Sequence, residues 1–296
     1  MAVAFSFSNK VNSKQTILVN STEMVSAAAN VDLMADSGAD GQRGVLIVNA
    51  DDWGRDWITT QRIRECVMDR SVSSVSAMVF MADSERAAII AGQEEIDAGL
   101  HLNFTTPFSD PNCPALLKDR QREICEYLRG HRLARGIFHP GLMRSFDYVV
   151  AAQMGEFRRL YQRDSNRIDG HHHMHLCANV LHGKLLPAGI IVRRNDSFLP
   201  SENLIKRLYR QVQDRILAQR YFLVDFFTNL APLSPAARLD RVFSLSRKYV
   251  VELETHPVKP EEYRFLKSGE IFQRTGHVPI ASRYTTSKSI PQALAP

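Results

Sequence analysis

The chain has 296 residues, 44% hydrophobic and 23% charged, the balance of a soluble globular protein with a sizeable core. No run of about 18 apolar residues occurs, so no membrane span is expected. The net charge of +5 sits in scattered arginines such as Arg158, Arg159, Arg193 and Arg194, with no like-charge block and no basic stretch interleaved with aromatics, so nucleic-acid binding is not expected.

Residues 1–42 are rich in Ser, Asn, Ala and Val and show no clear period. They lack the charged n-region and apolar h-region of a secretory signal and read as an extension with little structure. Cys66, Cys113, Cys125 and Cys177 lie far apart with no CxxC pair, and read as reduced thiols of a cytoplasmic protein.

From Val45 the pattern alternates. Val45-Leu46-Ile47-Val48, wholly apolar and bounded by Gly44 and Asp51-Asp52, predicts a strand buried on both faces. Thr59 or Thr60 can cap a helix carrying Ile63, Cys66 and Val67. Residues 72–81 read as a second strand, and Asp83-Ser84 can cap the next helix. Leu100, Leu102 and Phe104 alternate with His101 and Asn103, as in a third strand. Residues 105–145, broken by Pro107, Pro111, Pro114 and Pro140, read as an insertion with one helix near 116–128, the kind of excursion that forms lids or binding loops. A helix near 148–161 leads to Ile168. Beyond it come a helix at 178–186, a strand at 189–193, an amphipathic helix over 204–216, a strand at 221–227, a helix at 235–246, a strand at 249–255 and a last helix starting at Glu261. The tail from 288 to 296 looks loose.

About seven strands separated by helices imply βαβ units and a parallel sheet, doubly wound or closed as a barrel. No G-x-G-x-x-G follows a strand, which removes the main support for the dinucleotide-binding form.

Four of the ten histidines fall in Asp169-Gly170-His171-His172-His173-Met174-His175. Neutral imidazole is the commonest protein metal ligand, although a His-rich tract can also be a solvated loop. Asp51-Asp52, His101, this tract, Arg193 and His256 all fall at or near predicted strand ends, where parallel α/β folds build their sites. Taken singly, each has a bland reading: an acidic turn, a hydrogen-bonded strand histidine, a turn before Pro257. Trp53 and Trp57 read equally as core or as an aromatic wall for a sugar ring. One carboxylate and two imidazoles suffice for a catalytic divalent metal with an open position. The chemistry expected is metal-assisted hydrolysis, most simply of an amide or ester. A phosphoester is the alternative bond, and a catalytically inactive carbohydrate-binding protein the alternative class. On an extended segment His171, His173 and His175 would face one way and His172 the other, placing His173 or His175 at the substrate or behind a ligand.

These stretches resemble a known family. Val45 through Gly54, with Asn49-Ala50-Asp51-Asp52-Trp53-Gly54 at its end, resembles the opening motif of the YdjC-like (ChbG-type) carbohydrate deacetylases. Gly99-Leu100-His101-Leu102-Asn103 resembles their second motif and Asp169 through His175 their third; Val192-Arg193 and Glu254-Thr255-His256-Pro257 match weaker ones. The resemblance covers roughly residues 45–285. It implies an α/β fold, a distorted (β/α) barrel of about seven strands like that of polysaccharide deacetylases, spanning 43–287. It implies removal of an N-acetyl group from an amino sugar, with Asp52, His101 and His171 holding one divalent ion, Mg2+ or Zn2+. Asp51 would be the general base, His256 the acid and Arg193 an orienting group. It also allows a homodimer. The extension before residue 43 departs from the family, as does Trp53 where Phe is usual, and the 105–145 insertion is where specificity is expected to differ.

Overall fold

The computed structural model describes residues 44–130, 133–197, 204–276 and 278–287. The expectations for 1–42 and 288–296 lie outside them. The described residues belong to one compact unit.

Seven parallel strands form one sheet in the order β5-β4-β3-β2-β1-β7-β6. They are β1 (Val45–Trp53), β2 (Ser74–Ala77), β3 (Ala98–Leu102), β4 (Arg167–Gly170), β5 (Ile191–Val192), β6 (Phe226–Asn229) and β7 (Val250–Thr255). β1 is central, with eight of its nine residues buried, as expected of a strand covered on both faces. Nine helices are described: α1 (Trp57–Met68), α2 (Ser84–Gln93), α3 (Ala115–Gly130), α4 (Met143–Tyr161), α5 (Ala178–His182), α6 (Leu204–Ala218), α7 (Ala236–Leu245), α8 (Pro260–Lys267) and α9 (Glu270–Thr275). Among the described residues no helix is long and apolar enough to cross a membrane.

The sheet curls towards a barrel. A parallel bridge joins Ile191 of β5 to Phe222, on the segment that leads into β6, so the two outer edges meet. That contact explains why the strand expected at 221–227 begins only at Phe226: Tyr221 to Asp225 turn from one edge to the other. The second strand is likewise shorter than residues 72–81, because Met78 and Val79 leave the ladder to pack in the core. The first helix is capped by Asp56, which accepts from Thr59 N at 2.9 Å, rather than by Thr59 or Thr60. Thr60 instead accepts from Gly54 N.

The excursion between β3 and β4 is tied to the barrel mouth by two buried glutamines. Gln153 of α4 accepts from Asn103 N at 2.7 Å and donates to Asn103 O at 3.2 Å. Gln121 of α3 accepts from Phe108 N and donates to Asn103 O and Thr106 O. These amides complete the backbone bonds of a chain that has just left the sheet. At the opposite end, residues 278–287 run across the starts of the strands. Leu46 N donates to Pro279 O, Ala281 N to Leu46 O, and Tyr284 N to Asp97 Oδ2.

Replacing Gln153 by Leu keeps the side-chain volume but strands the buried N–H of Asn103 and leaves its C=O to Gln121 alone. The expected cost is about 1–3 kcal/mol, seen as a lower midpoint in urea or thermal unfolding; an unchanged midpoint would show that the mouth does not need this tie.

Candidate metal and active site

The site is built where β1, β3 and β4 end. In a regular strand Asp51 and Asp52 would point to opposite faces. The register of β1 against β2 shifts between Ala50 and Trp53, and Asp52 takes a left-handed backbone (φ 71). Asp is one of the few side chains that tolerates this conformation. The irregularity turns both carboxylates towards His101, whose Nε2 lies 3.4 Å from Asp52 Oδ1 and 3.8 Å from Asp51 Oδ2.

His171 Nδ1 lies 2.9 Å from the same Asp52 Oδ1. Asp52, His101 and His171 therefore offer one carboxylate oxygen and two imidazole nitrogens within 4.8 Å of one another. Among the described residues Asp52 Oδ1 and His101 Nε2 are buried without a hydrogen-bond partner. A buried polar atom left unpaired costs about 1–3 kcal/mol, so two converging on a third donor atom need an explanation. The tautomer supplies one. His101 and Asp169 are register partners on β3 and β4, and His101 Nδ1 sits 2.8 Å from Asp169 Oδ1. Asp169 is thus the acceptor for the Nδ1 proton, leaving the Nε2 lone pair facing Asp52 and His171, the arrangement that carboxylates impose on metal-binding histidines. The donor set fits a divalent cation.

The charge balance points the same way. Five buried carboxylates, Asp51, Asp52, Asp169, Glu252 and Glu254, face two buried guanidiniums, Arg167 and Arg193. Burial opposes charge on His101, but Asp51 and Asp169 outweigh it and the ring is pushed up to about 10. The surrounding carboxylates thus favour a positive charge at Nε2, and a proton and a metal ion are alternatives there. Burial would also raise the Asp52 carboxyl, yet His101 and His171 hold it well below the usual range.

Arg193 follows β5 and points inward beneath this site. It grips Asp51 with two bonds of 2.7 Å and also reaches Asp169 (2.9 Å), Glu252 (2.8 Å) and Glu254 (2.9 Å). Burial penalises the guanidinium, but its four carboxylates keep it firmly charged. In return Arg193, with His101, keeps Asp51 ionised against its own burial. Glu254 goes the other way: burial and the nearby Asp51 raise it well above the ordinary carboxylate range.

The histidine tract is not extended. It is a 3-10 turn over His171–Leu176 with a kink, His172 and His173 both having left-handed backbones. The expected alternation of His171, His173 and His175 on one side is therefore wrong. Each ring goes its own way: His171 to Asp52, His172 to the Thr105 hydroxyl (2.9 Å), His173 to Glu254 (3.7 Å). The His175 ring is wholly buried and does not line the pocket; its Nε2 donates to the Arg193 carbonyl at 3.0 Å. Burial lowers His172 to about 4 and His175 to about 3, so both rings are neutral. Trp53 is likewise fully buried in the core, which settles the choice between core and aromatic wall. Trp57 is exposed, beneath Arg86.

The model of the YdjC-like protein family matches residues 45–274. The chain belongs to the YdjC-like family. It is 30% identical to a carbohydrate deacetylase of Mus musculus over 139 residues, which is 46% of this chain and 44% of that protein. It is 28% identical to a chitooligosaccharide deacetylase of Klebsiella pneumoniae over 142 residues, 46% of this chain and 52% of that one. The chain thus spans about half the length of the curated relatives it matches. A crystal structure of an Enterococcus faecalis protein named for cellobiose-phosphate cleavage shares the fold, with a TM-score of 0.59 at 16% identity over 84% of this chain and 99% of that one.

In this YdjC-like chain a cavity opens above the donor set. Asp51, Asp52, His171, His173, Glu254 and His256 line it, with Arg55 and Lys259 at its edge. His256 is 21% exposed at its side chain, its backbone N–H held by Glu262. Arg55 reaches Asp52 Oδ2 at 3.0 Å. Asp169, Glu252, Glu254 and Asn49 were not among the residues expected from sequence to act. The signal was there: Asn49, Glu252 and Glu254 are polar residues at inward positions of strands that otherwise read as apolar, and Asn49 and Glu254 are register partners.

Arg193→Met should be severely destabilising, by about 3–5 kcal/mol, because it leaves four buried carboxylates without their common cation. A urea midpoint within experimental error of wild type would contradict that.

Proposed function

We propose that the chain is a divalent-metal-dependent carbohydrate N-deacetylase, hydrolysing the amide of an N-acetylated amino sugar to acetate and the free amine. The observation that carries the reading is the convergence of unpartnered Asp52 Oδ1 and His101 Nε2 with His171 Nδ1, under a cavity that also holds Asp51 and His256. The deacetylase names of the mouse and Klebsiella relatives support it.

A divalent ion held by Asp52, His101 and His171 would polarise the acetyl carbonyl and lower the pKa of water at its open position. One carboxylate with two imidazoles favours zinc or another transition ion over magnesium. The chain's own groups do the rest. Asp51 is ionised and Arg193 fixes its orientation; Oδ1 accepts from both Arg193 and Asn49, while Oδ2 accepts from Arg193 alone and keeps a lone pair to take a proton from the attacking water. His256 lies across the same cavity. Burial holds its pKa down against the pull of Asp51 and Asp52, so it rests neutral; the proton that Asp51 takes from the water passes to His256, whose ring nitrogen lies within 4.8 Å of the Asp51 carboxylate, and from there to the departing amine. His173 and Glu254 form the cavity wall beside it and would contact the sugar. The free thiols Cys66, Cys113, Cys125 and Cys177 suit a cytoplasmic setting.

Asp52→Asn keeps a residue that accepts the left-handed backbone, and His101→Ala removes one donor atom; both should abolish stoichiometric metal binding and drop acetate release to background. Asp169→Asn, which touches no metal, should weaken metal affinity by about 10–100-fold. The assay is acetate release from a panel of N-acetylated sugars, with metal content measured on the same samples. Undiminished acetate release after chelation or in His101→Ala rules the mechanism out, and phosphate release from phosphoesters in place of acetate would reassign the bond cleaved.

A further inference from the structure

The family match ends at residue 274, yet the segment that follows reaches the catalytic network from below. Tyr284 lies on the stretch that crosses the amino ends of the strands. Its backbone N–H is held by Asp97, immediately before β3, and Ala281 is bonded to Leu46 at the start of β1. The substrate cavity opens at the other end, where β1 and β4 finish, and Tyr284 is not in its lining. Tyr284 therefore cannot touch substrate.

It does touch the support of Asp51 by two routes. Its hydroxyl donates to Glu252 Oε2 at 2.5 Å; Glu252 Oε1 accepts from Arg193 Nε at 2.8 Å; Arg193 then grips both oxygens of Asp51 at 2.7 Å. Its ring lies against the Arg167 guanidinium, 4.3 Å from the ring centroid. Arg167 donates to Asn49 Oδ1 at 2.7 Å, and Asn49 Nδ2 donates to Asp51 Oδ1 at 2.9 Å. Every link after Tyr284 is buried. In such an interior, slack in one hydrogen bond is passed along the chain instead of being absorbed by water. Glu252 matters most, because its hydrogen bond from Tyr284 helps keep it a charged partner for Arg193 against a burial that raises its pKa.

We propose that Tyr284 is a positioning residue for Asp51, acting through Glu252–Arg193 and Arg167–Asn49, so that a segment at the closed end of the barrel sets the geometry of the general base at the open end. The kinetic part rests on the deacetylase reading; the structural part does not. Tyr284→Phe keeps the ring over Arg167 and removes only the hydroxyl. Expected are a fall in kcat on the order of ten- to a hundredfold with KM within about twofold of wild type, the scale of a remotely caused misplacement. Crystal structures of the zinc-loaded wild type and variant should show Asp51 losing its two-bond seat on Arg193. Ser287→Ala is the control: it frees the same segment from Asp225 and should lower the melting temperature without changing kcat. Should Tyr284→Phe not fold, Glu252→Gln cuts the first route at its middle link and is read in the same way. Asp51 keeping both Arg193 bonds in the variant overturns the proposal, as does a displaced Asp51 with unchanged kcat. Should wild type release no acetate, the deacetylase reading fails and the position of Asp51 alone decides this one.

Discussion

One guanidinium organises the interior. Arg193 is 1% exposed and contacts Asp51, Asp169, Glu252 and Glu254, which come from β1, β4 and β7. Moving a single cation out of water costs several kcal/mol, and no one partner compensates for that. Four carboxylates do, and in doing so they fix the relative positions of three strands. Two of the four then have further tasks. Asp51 faces the cavity, and Asp169 sets the tautomer of His101. The same interaction that makes the charged interior tolerable therefore aims both the proposed general base and a proposed metal ligand.

The division of labour within the histidine tract follows from its backbone. A strand would have put three rings on one side. Two left-handed residues in succession, His172 and His173, instead splay the rings in different directions. Such conformations cost of order 1–3 kcal/mol each and persist where the surroundings hold them. Here Thr105 holds the His172 ring and Glu254 lies beside that of His173, while the Arg193 carbonyl anchors His175 where the turn ends. The tract thus sends one ring to the proposed metal site, one to the insertion, one to the cavity wall and one down to brace the central arginine. Asp52 shows the same economy: one left-handed residue in β1 brings two adjacent carboxylates to one mouth.

Much of this was legible in the sequence. The buried first strand, the seven-strand rhythm and the gathering of Asp51, Asp52, His101, His171 and His256 at strand ends follow from hydrophobic pattern and motif. What was not legible has physical causes. Alternation assumes extended backbone, so it misplaced His175, which is buried away from the cavity that His173 lines; nothing in the side chains announces a left-handed turn. β5 is only the two residues Ile191–Val192, within the strand expected at 189–193. Glu252 and Glu254 sit in a strand whose Val, Leu and Thr neighbours read as ordinary core; their role depends on an arginine some 60 residues earlier. Tyr284 is further hidden, on a segment with no regular structure whose partners come from β1, β4 and β7.

The central claim is that Asp52, His101 and His171 together hold one divalent ion. Anomalous diffraction from crystals grown with zinc tests it most directly. The account predicts one strong peak at about 2.0–2.2 Å from Asp52 Oδ1, His101 Nε2 and His171 Nδ1. A peak seated instead among Asp51, Glu254 and His256, the neighbouring group of possible donors, would contradict it.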